Sequence, residues 1–172
     1  MINVVADCML KYHSSYIGFR EIPDEISLCI NITNCPNNCK GCHSPWLLEN
    51  IGTYLSKVEL TNLILNNKGI TCVCFMGGDS EPWEINKLGE FVIESGLKSA
   101  WYSGKQELSI SINPRNFHYI KLGPYIAEKG SLDNPNTNQK LYKTEYTDAK
   151  STGLSKLEMT DITNKFWNDN RN

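Results

Sequence analysis

The chain has 172 residues, a mass of 19.5 kDa and a formal net charge of −2. This length predicts a single domain, 1–172, large enough to fold without disulfide or metal staples. Because 17 Lys and Arg are balanced by 19 Asp and Glu, we do not expect a basic nucleic-acid groove. No apolar run approaches the roughly 20 residues of a membrane span, and the first ten residues do not resemble a secretory signal.

The seven cysteines are the unusual feature of the composition. An odd number cannot all pair in disulfides, and without a secretory signal we expect a reducing, cytoplasmic setting. In that setting, clustered cysteines indicate metal or redox chemistry. Three of them, Cys35, Cys39 and Cys42, lie on one short stretch. The other four are dispersed: Cys8, Cys29, Cys72 and Cys74.

The first predicted elements lead into the cysteine-rich stretch. An N-terminal extension, 1–22, precedes a strand expected over 25–32, which is rich in β-branched and apolar residues. A turn-rich loop, 33–45, follows and contains the three close cysteines. Ser56 and Glu59 then form a capping-box pattern, which predicts the start of a helix.

The second half of the chain continues this alternation. A near-continuous apolar run over 70–76 predicts a strand buried on both faces, and it ends at the turn 77–80. The remaining elements are expected as a helix over 81–95, strands over 98–103, 118–122 and 139–144, and a short helix over 160–167.

Alternating strands and helices indicate an α/β fold with a parallel sheet and right-handed crossovers. In such sheets, ligands bind at the carboxyl ends of the strands. The loop 33–45 and the turn 77–80 both follow predicted strands, so we expect them at the same edge.

The spacing C-x3-C-x2-C places three thiols on one loop. A structural zinc site usually takes four ligands, and the sequence offers no second pair at the usual spacing. Three thiolates instead suit a [4Fe–4S] cluster in which one iron has no protein ligand. From spacing alone, ordinary thiols and a zinc site completed from elsewhere remain open. The histidines available for such a zinc site are His13, His43 and His118.

Four parts of the sequence carry a resemblance to a known family. They are the cysteine loop over 31–46, Phe-Met-Gly-Gly-Asp over 75–79, Trp-Tyr-Ser-Gly over 101–104, and the late segments 121–125 and 137–140. Together they resemble the radical S-adenosylmethionine (SAM) superfamily, and within it the activating proteins of anaerobic ribonucleoside-triphosphate reductase. Gly41 and His43 match this subfamily, whereas Ser80 stands where proline is frequent and Lys140 where arginine is usual.

The resemblance implies a partial (β/α) barrel of about six mostly parallel strands, of the radical SAM type. It implies that Cys35, Cys39 and Cys42 hold one [4Fe–4S] cluster per chain, whose fourth iron binds SAM through its amino and carboxylate groups. An electron from the reduced cluster would break a C–S bond of the sulfonium and yield a 5′-deoxyadenosyl radical.

The resemblance also implies SAM contacts at six residues: Gly41, Cys42, His43, Gly77, Gly78 and Asp79. The first three would meet the adenosyl part. The two glycines of the turn lack a Cβ that would block close approach, and Asp79 can accept a charge-assisted hydrogen bond from the SAM ammonium group. The alternative is an ordinary strand-to-helix turn in which Asp79 or Ser80 caps the helix.

The implied activity is that of an activase, which generates a glycyl radical on the large subunit of anaerobic ribonucleoside-triphosphate reductase. Its electron donor would be a flavodoxin- or ferredoxin-like protein. The small size agrees with this, because a protein substrate can complete an open barrel. The alternatives are an enzyme that acts on another glycyl radical enzyme or on a small molecule such as a deazapurine precursor, and a zinc-stabilised interaction module.

The remaining candidates have simpler expected roles. We expect the four dispersed cysteines to pack in the core, with Cys72 and Cys74 on the same side of one strand. Trp46, Trp101 and Tyr102 are expected in the core or as a shield for the cluster, and Tyr102 and Ser103 also as neighbours of SAM. Two late residues could either cap the barrel or contact SAM: Asn138 and Gln139.

Overall fold

The computed structural model describes residues 9–148 and 155–167, which form a mixed α/β fold around an eight-stranded sheet. The strands are β1 (Lys11–Gly18), β2 (Ser27–Ile32), β3 (Thr53–Tyr54), β4 (Cys72–Met76), β5 (Lys98–Tyr102), β6 (Tyr119–Leu122), β7 (Lys140–Asp148) and β8 (Ser155–Asp161). The helices are α1 (Lys57–Asn66) and α2 (Pro82–Glu94), with 3-10 turns at Pro45–Leu48, Pro114–Asn116 and Thr163–Phe166.

The sheet has a parallel centre and antiparallel flanks. Its strand order is β3-β1-β2-β4-β5-β6-β7-β8. The four central strands, β2, β4, β5 and β6, run parallel, so their carboxyl ends meet at one edge. The β1 and β3 strands on one side and the β7 and β8 strands on the other pair antiparallel.

The two α-helices cover one face of the sheet. Their buried residues Leu60, Ile85 and Val92 pack in one cluster with Val73 and Phe75 of β4. The intervening residues of the central strands form a second cluster on the other face, to which neither helix contributes a buried residue. This alternation of β4 side chains between two apolar clusters is why the sequence over 70–76 is nearly continuously apolar.

Several sequence predictions are confirmed at the level of single elements. Ser56 caps α1, because its Oγ accepts a hydrogen bond of 3.1 Å from the backbone N–H of Glu59. The helix predicted over 81–95 is α2, which is one residue shorter at each end. Neither α1, with 10 residues, nor α2, with 13, nor any other described helix is long and apolar enough to cross a membrane.

Both ends of the chain differ from the prediction. Within the predicted N-terminal extension, 1–22, the described residues Lys11–Gly18 form β1, a strand that the sequence did not predict and that lies in the sheet beside β2. The helix predicted over 160–167 is wrong at its start. Thr160 and Asp161 belong to β8, whose backbone groups pair with β7, and only a 3-10 turn follows.

These additions explain the strand count. The sequence predicts about six mostly parallel strands, whereas the structure has eight strands and only three of their seven pairings are parallel. The strands that the sequence did not predict are β1, β3 and β8. They pair antiparallel, and their sequences contain no apolar run. The strand order runs from β3 to β8 without closing, so the partial barrel remains a prediction.

A buried carboxylate joins the amino ends of the parallel strands. Glu25, 6% exposed, lies just before β2. Its Oε1 accepts hydrogen bonds from Lys98 Nζ at 2.5 Å and Tyr119 Oη at 2.7 Å, and its Oε2 accepts one from Thr71 Oγ1 at 2.7 Å. Burial raises the pKa of Glu25, but the hydrogen bonds from Lys98, Thr71 and Tyr119 outweigh it and hold the pKa below the ordinary value of 4.5. The carboxylate is therefore charged, and both of its oxygens accept hydrogen bonds.

We expect Glu25→Gln to lower the free energy of unfolding at neutral pH by about 1–3 kcal/mol, because three donors lose a charged acceptor. The stabilisation by Glu25 is complete above the ordinary glutamate pKa and is lost as pH falls through its lowered folded pKa. Urea unfolding of both proteins should therefore converge in acid. The control is Glu94→Gln, which removes an exposed carboxylate on α2. Equal changes in the free energy of unfolding for the two substitutions would contradict this role of Glu25.

Candidate functional site

The structure brings the two predicted loops together at the carboxyl edge of the parallel strands. The cysteine loop, 33–45, follows β2, the turn 77–80 follows β4, and residues 103–104 follow β5. Asn37 of the cysteine loop donates a hydrogen bond of 2.6 Å to Asp79 of the turn. The expectation that both loops lie at the same edge is therefore confirmed.

Asp79 is the centre of this edge. Its Oδ2 accepts hydrogen bonds from Asn37 Nδ2 at 2.6 Å and from the backbone N–H of Gly104 at 2.8 Å. Its Oδ1 accepts one from Ser103 Oγ at 2.5 Å. The residue that caps α2 is Glu81, and it does so without a side-chain hydrogen bond. The alternative in which Asp79 or Ser80 caps the helix is thus wrong, and Asp79 instead joins three chain segments.

The two glycines of the turn are required by the turn itself. Gly77 and Gly78 have φ of +107° and +95°, which L side chains rarely adopt. A Cβ on Gly78 would lie 2.5 Å from Cδ1 of Ile85 in α2. The Gly77 N–H donates to the carbonyl of Tyr102 at 3.0 Å, and Trp101 Nε1 donates to the Gly77 carbonyl at 2.8 Å. These contacts explain both glycines without a bound ligand.

The cysteine loop is held by backbone hydrogen bonds at both ends. The Cys35 N–H donates to the carbonyl of Leu47 at 2.9 Å, and the Cys42 N–H donates to the carbonyl of Cys39 at 3.1 Å. The Ser44 N–H lies 3.4 Å from Cys42 Sγ and donates to it. The loop is therefore ordered around its three cysteines.

The three loop cysteines offer the thiol ligands that an iron–sulfur cluster needs, but their sulfurs are not arranged around one centre. Cys35, Cys39 and Cys42 are partly exposed and free of disulfides, and N–H groups of Asn37 and Ser44 already donate to two of their sulfurs. In the described part of the chain, however, no group of three or more His, Cys, Asp or Glu side chains is arranged to hold a metal ion. The thiols would have to converge before they could share one cluster.

The predicted SAM-contacting residues of the cysteine loop lie against the chain that follows β6. His43 is exposed, its Nε2 lies 2.9 Å from Tyr125 Oη, and the two ring centroids are 4.6 Å apart. A Cβ on Gly41 would lie 3.5 Å from the Cβ of Ala127. Gly41 and His43 therefore face a different segment from Gly77, Gly78 and Asp79.

Lys121 is a buried cation that the sequence analysis did not assign to the site. It lies in β6, is 7% exposed, and its Nζ donates to the carbonyls of Gly123 at 2.7 Å and Ser103 at 3.3 Å. Burial lowers its pKa from 10.5 to about 8, although the negative charges of Asp79, Cys39 and Cys35 oppose the shift. The available signal was one lysine in the otherwise apolar strand Tyr-Ile-Lys-Leu.

A cavity of about 490 Å³ lies beside Lys121. Its lining includes Met76 and Tyr102, which pack in the apolar cluster on the sheet face away from the helices. His43 and Gln139 also line it. Asn138 instead ties the chain locally, because its Nδ2 donates to the carbonyl of Pro124 at 2.9 Å. The volume falls in the range of small-molecule sites.

The cysteines outside the loop behave as predicted where the structure describes them. Cys29, Cys72 and Cys74 are fully buried in one cluster, so Cys72 and Cys74 do face the same side of β4. Burial raises the pKa of the Cys72 and Cys74 thiols, which makes them unreactive. Cys8 lies outside the described residues.

The three aromatic candidates differ in burial. Trp101 is fully buried, and partly buried Tyr102 donates a hydrogen bond to the carbonyl of Glu21. Trp46 is 46% exposed, so it does not lie in the core, and its alternative role as a shield for the cluster stays a prediction. Trp46 lies in the 3-10 turn Pro45–Leu48 at the end of the cysteine loop, which has no buried residues.

Comparison with known proteins assigns no family to the chain: no protein-family model, no curated protein and no solved structure matches it.

The lowered pKa of Lys121 predicts how stability depends on pH. Between about pH 8 and 10.5, Lys121 is deprotonated in the folded chain and protonated in the unfolded chain. The unfolded chain therefore binds more protons, and the free energy of unfolding rises with pH. In urea unfolding under reducing conditions, we expect the native protein to gain up to about 3 kcal/mol relative to Lys121→Met over this range. The two proteins contain the same cysteines, so the prediction concerns the difference between their pH profiles. Parallel profiles would contradict it.

Proposed function

We propose that the chain is a radical SAM activase, which cleaves SAM reductively at a [4Fe–4S] cluster and generates a glycyl radical on anaerobic ribonucleoside-triphosphate reductase. The resemblance of four sequence segments suggests this function. The observation that supports it most is the Asp79 carboxylate, which gathers the cysteine loop, the Gly-Gly-Asp turn and the Trp-Tyr-Ser-Gly segment at one sheet edge.

The proposal assigns the cluster to Cys35, Cys39 and Cys42. When bound, the cluster would supply the electron that breaks a C–S bond of the SAM sulfonium, and the protein would supply position, electrostatics and exclusion of water. Lys121 supports this assignment, because a buried cation that interacts with Cys35 and Cys39 would offset the negative charge of thiolates that hold a cluster.

Asp79 would receive the amino group of SAM. A carboxylate offers about four acceptor positions, and Asp79 accepts three hydrogen bonds from Asn37, Ser103 and Gly104. Among the described residues, one position on Oδ1 would be left for an ammonium donor. A charge-assisted hydrogen bond there would be stronger than one between neutral groups.

The cavity beside Lys121 would take the remainder of the small-molecule ligand. Its lining is mixed, with Met76 and Tyr102 on the apolar side and Gln139 and Lys121 on the polar side. The exposed apolar residues after the cysteine loop, Trp46, Leu48 and Ile51, give a protein substrate a surface close to the site. We place this activity in the cytoplasm, with a flavodoxin- or ferredoxin-like electron donor.

Metal content tests the cluster directly. After anaerobic purification, the full chain should be brown and contain about four iron and four sulfide per chain. Cys39→Ala should lose nearly all of both. Cys74→Ala is the matched control, because Cys74 is fully buried on β4 and should leave the cluster in place. A colourless native protein with stoichiometric zinc would contradict the proposal and favour the zinc-stabilised interaction module.

Electron paramagnetic resonance tests the activity. Incubation of the cluster-loaded protein with SAM, a chemical reductant and the large subunit of anaerobic ribonucleoside-triphosphate reductase should give a glycyl radical signal. Cys39→Ala should give none. SAM cleavage without that signal would exclude this partner. Cleavage that depends on a deazapurine precursor would instead favour the small-molecule alternative.

A further inference from the structure

Asn37 is the residue through which the cysteine loop contacts Asp79. It lies between Cys35 and Cys39, and its Nδ2 is 2.6 Å from Asp79 Oδ2. The same nitrogen is 3.7 Å from Cys35 Sγ and donates to it. A side-chain amide carries two N–H donors, so one group can serve both acceptors at once. Asn37 thus links a candidate cluster ligand to the sheet edge.

The acceptor side of this link is held by residues outside the cysteine loop. Asp79 is fixed to the end of β5 by Ser103, which is 1% exposed, and by the backbone of Gly104. These two contacts do not depend on the cysteine loop. The loop is therefore attached, through Asn37, to a carboxylate whose position is set by the parallel strands.

Gly104 leaves the space that Asn37 occupies. A Cβ at position 104 would lie 2.3 Å from Asn37 Nδ2 and 2.8 Å from Asn37 Cγ. Gly104 is not among the glycines with positive φ, so the requirement here is for space rather than for an unusual backbone conformation. The final glycine of the Trp-Tyr-Ser-Gly segment therefore has a physical role, which is to admit the Asn37 amide beside Asp79.

We propose that Asn37 is a positioning residue that holds the cysteine loop on Asp79 and thereby sets the place of Cys35. We call the contact between Asn37, Asp79 and Gly104 the Asn37 clasp. The inference rests on the proposed function only where it concerns cluster loading, because the clasp itself joins residues of the metal-free chain. It also gives Asp79 a role toward the cysteine loop in addition to its proposed contact with SAM.

The first test is hydrogen exchange of the metal-free full chain. Asn37→Asp keeps the shape of the side chain, removes both donors and places a second carboxylate against Asp79. We expect amides of the loop 33–45, including those of Cys35 and Cys42, to exchange about tenfold faster, because a hydrogen bond to a charged group is lost. Asn38→Gly is the control: Asn38 is exposed, and its φ of +44° suits glycine. Equal exchange in Asn37→Asp and the native chain would overturn the proposal.

Two further variants separate the clasp from general loosening of the chain. Gly104→Ala should reproduce the faster exchange by displacing Asn37 without removing its amide. The double variant Asn37→Asp with Asp79→Asn exchanges the donor and the acceptor between the two positions. It should therefore restore part of the protection of the loop amides from exchange, although the Gly104 N–H then loses its carboxylate acceptor. Additive effects of the two substitutions, with no recovery, would overturn the direct contact.

Iron retention measures cluster loading separately from hydrogen exchange. Asn37→Asp should retain at least several-fold less iron than the native chain after gel filtration, whereas Asn38→Gly should retain as much. If the native chain binds no iron at all, the proposed function fails while the exchange data still decide the clasp. Faster exchange in Asn37→Asp with unchanged iron retention would show that the clasp does not position Cys35, and would overturn that part of the proposal.

Discussion

The Asp79 carboxylate is the interaction on which the candidate site depends. It accepts hydrogen bonds from the loop after β2 and from the chain after β5, and it follows β4 itself. A charged acceptor at the meeting point of three segments fixes them more firmly than neutral groups would. Gly77 and Gly78 make this possible, because their positive φ lets the chain leave β4 and enter α2 within a few residues.

A second carboxylate, Glu25, performs the corresponding task at the amino ends of the same strands. Its partners Lys98, Thr71 and Tyr119 all lie at the starts of central strands, so that end of the sheet is closed by a satisfied charge. The two ends differ in what surrounds them. The Glu25 end joins strands to one another, whereas the Asp79 end joins strands to a loop that carries three free thiols.

Lys121 is a buried lysine in the otherwise apolar strand β6. Two backbone carbonyls satisfy its ammonium group, yet burial still lowers its pKa to about 8. Perturbed buried groups beside a cavity are typical of functional sites. The Asp79 carboxylate opposes this shift, so the charges of Lys121 and Asp79 favour each other.

Local patterns in the sequence were enough to predict the capped start of α1, the buried strand β4, the same-side burial of Cys72 and Cys74, and the shared edge of the two loops, because helix caps and strand alternation are set by neighbouring residues. Tertiary structure alone decided the rest. Pairing with the neighbouring strands β2 and β7 turned 11–18 and 155–161 into β1 and β8, although neither segment has an apolar run that predicts a strand. The positions of Asn37, Gly104 and Lys121 around Asp79 were likewise decided by contacts between residues far apart in the chain, which no local pattern records.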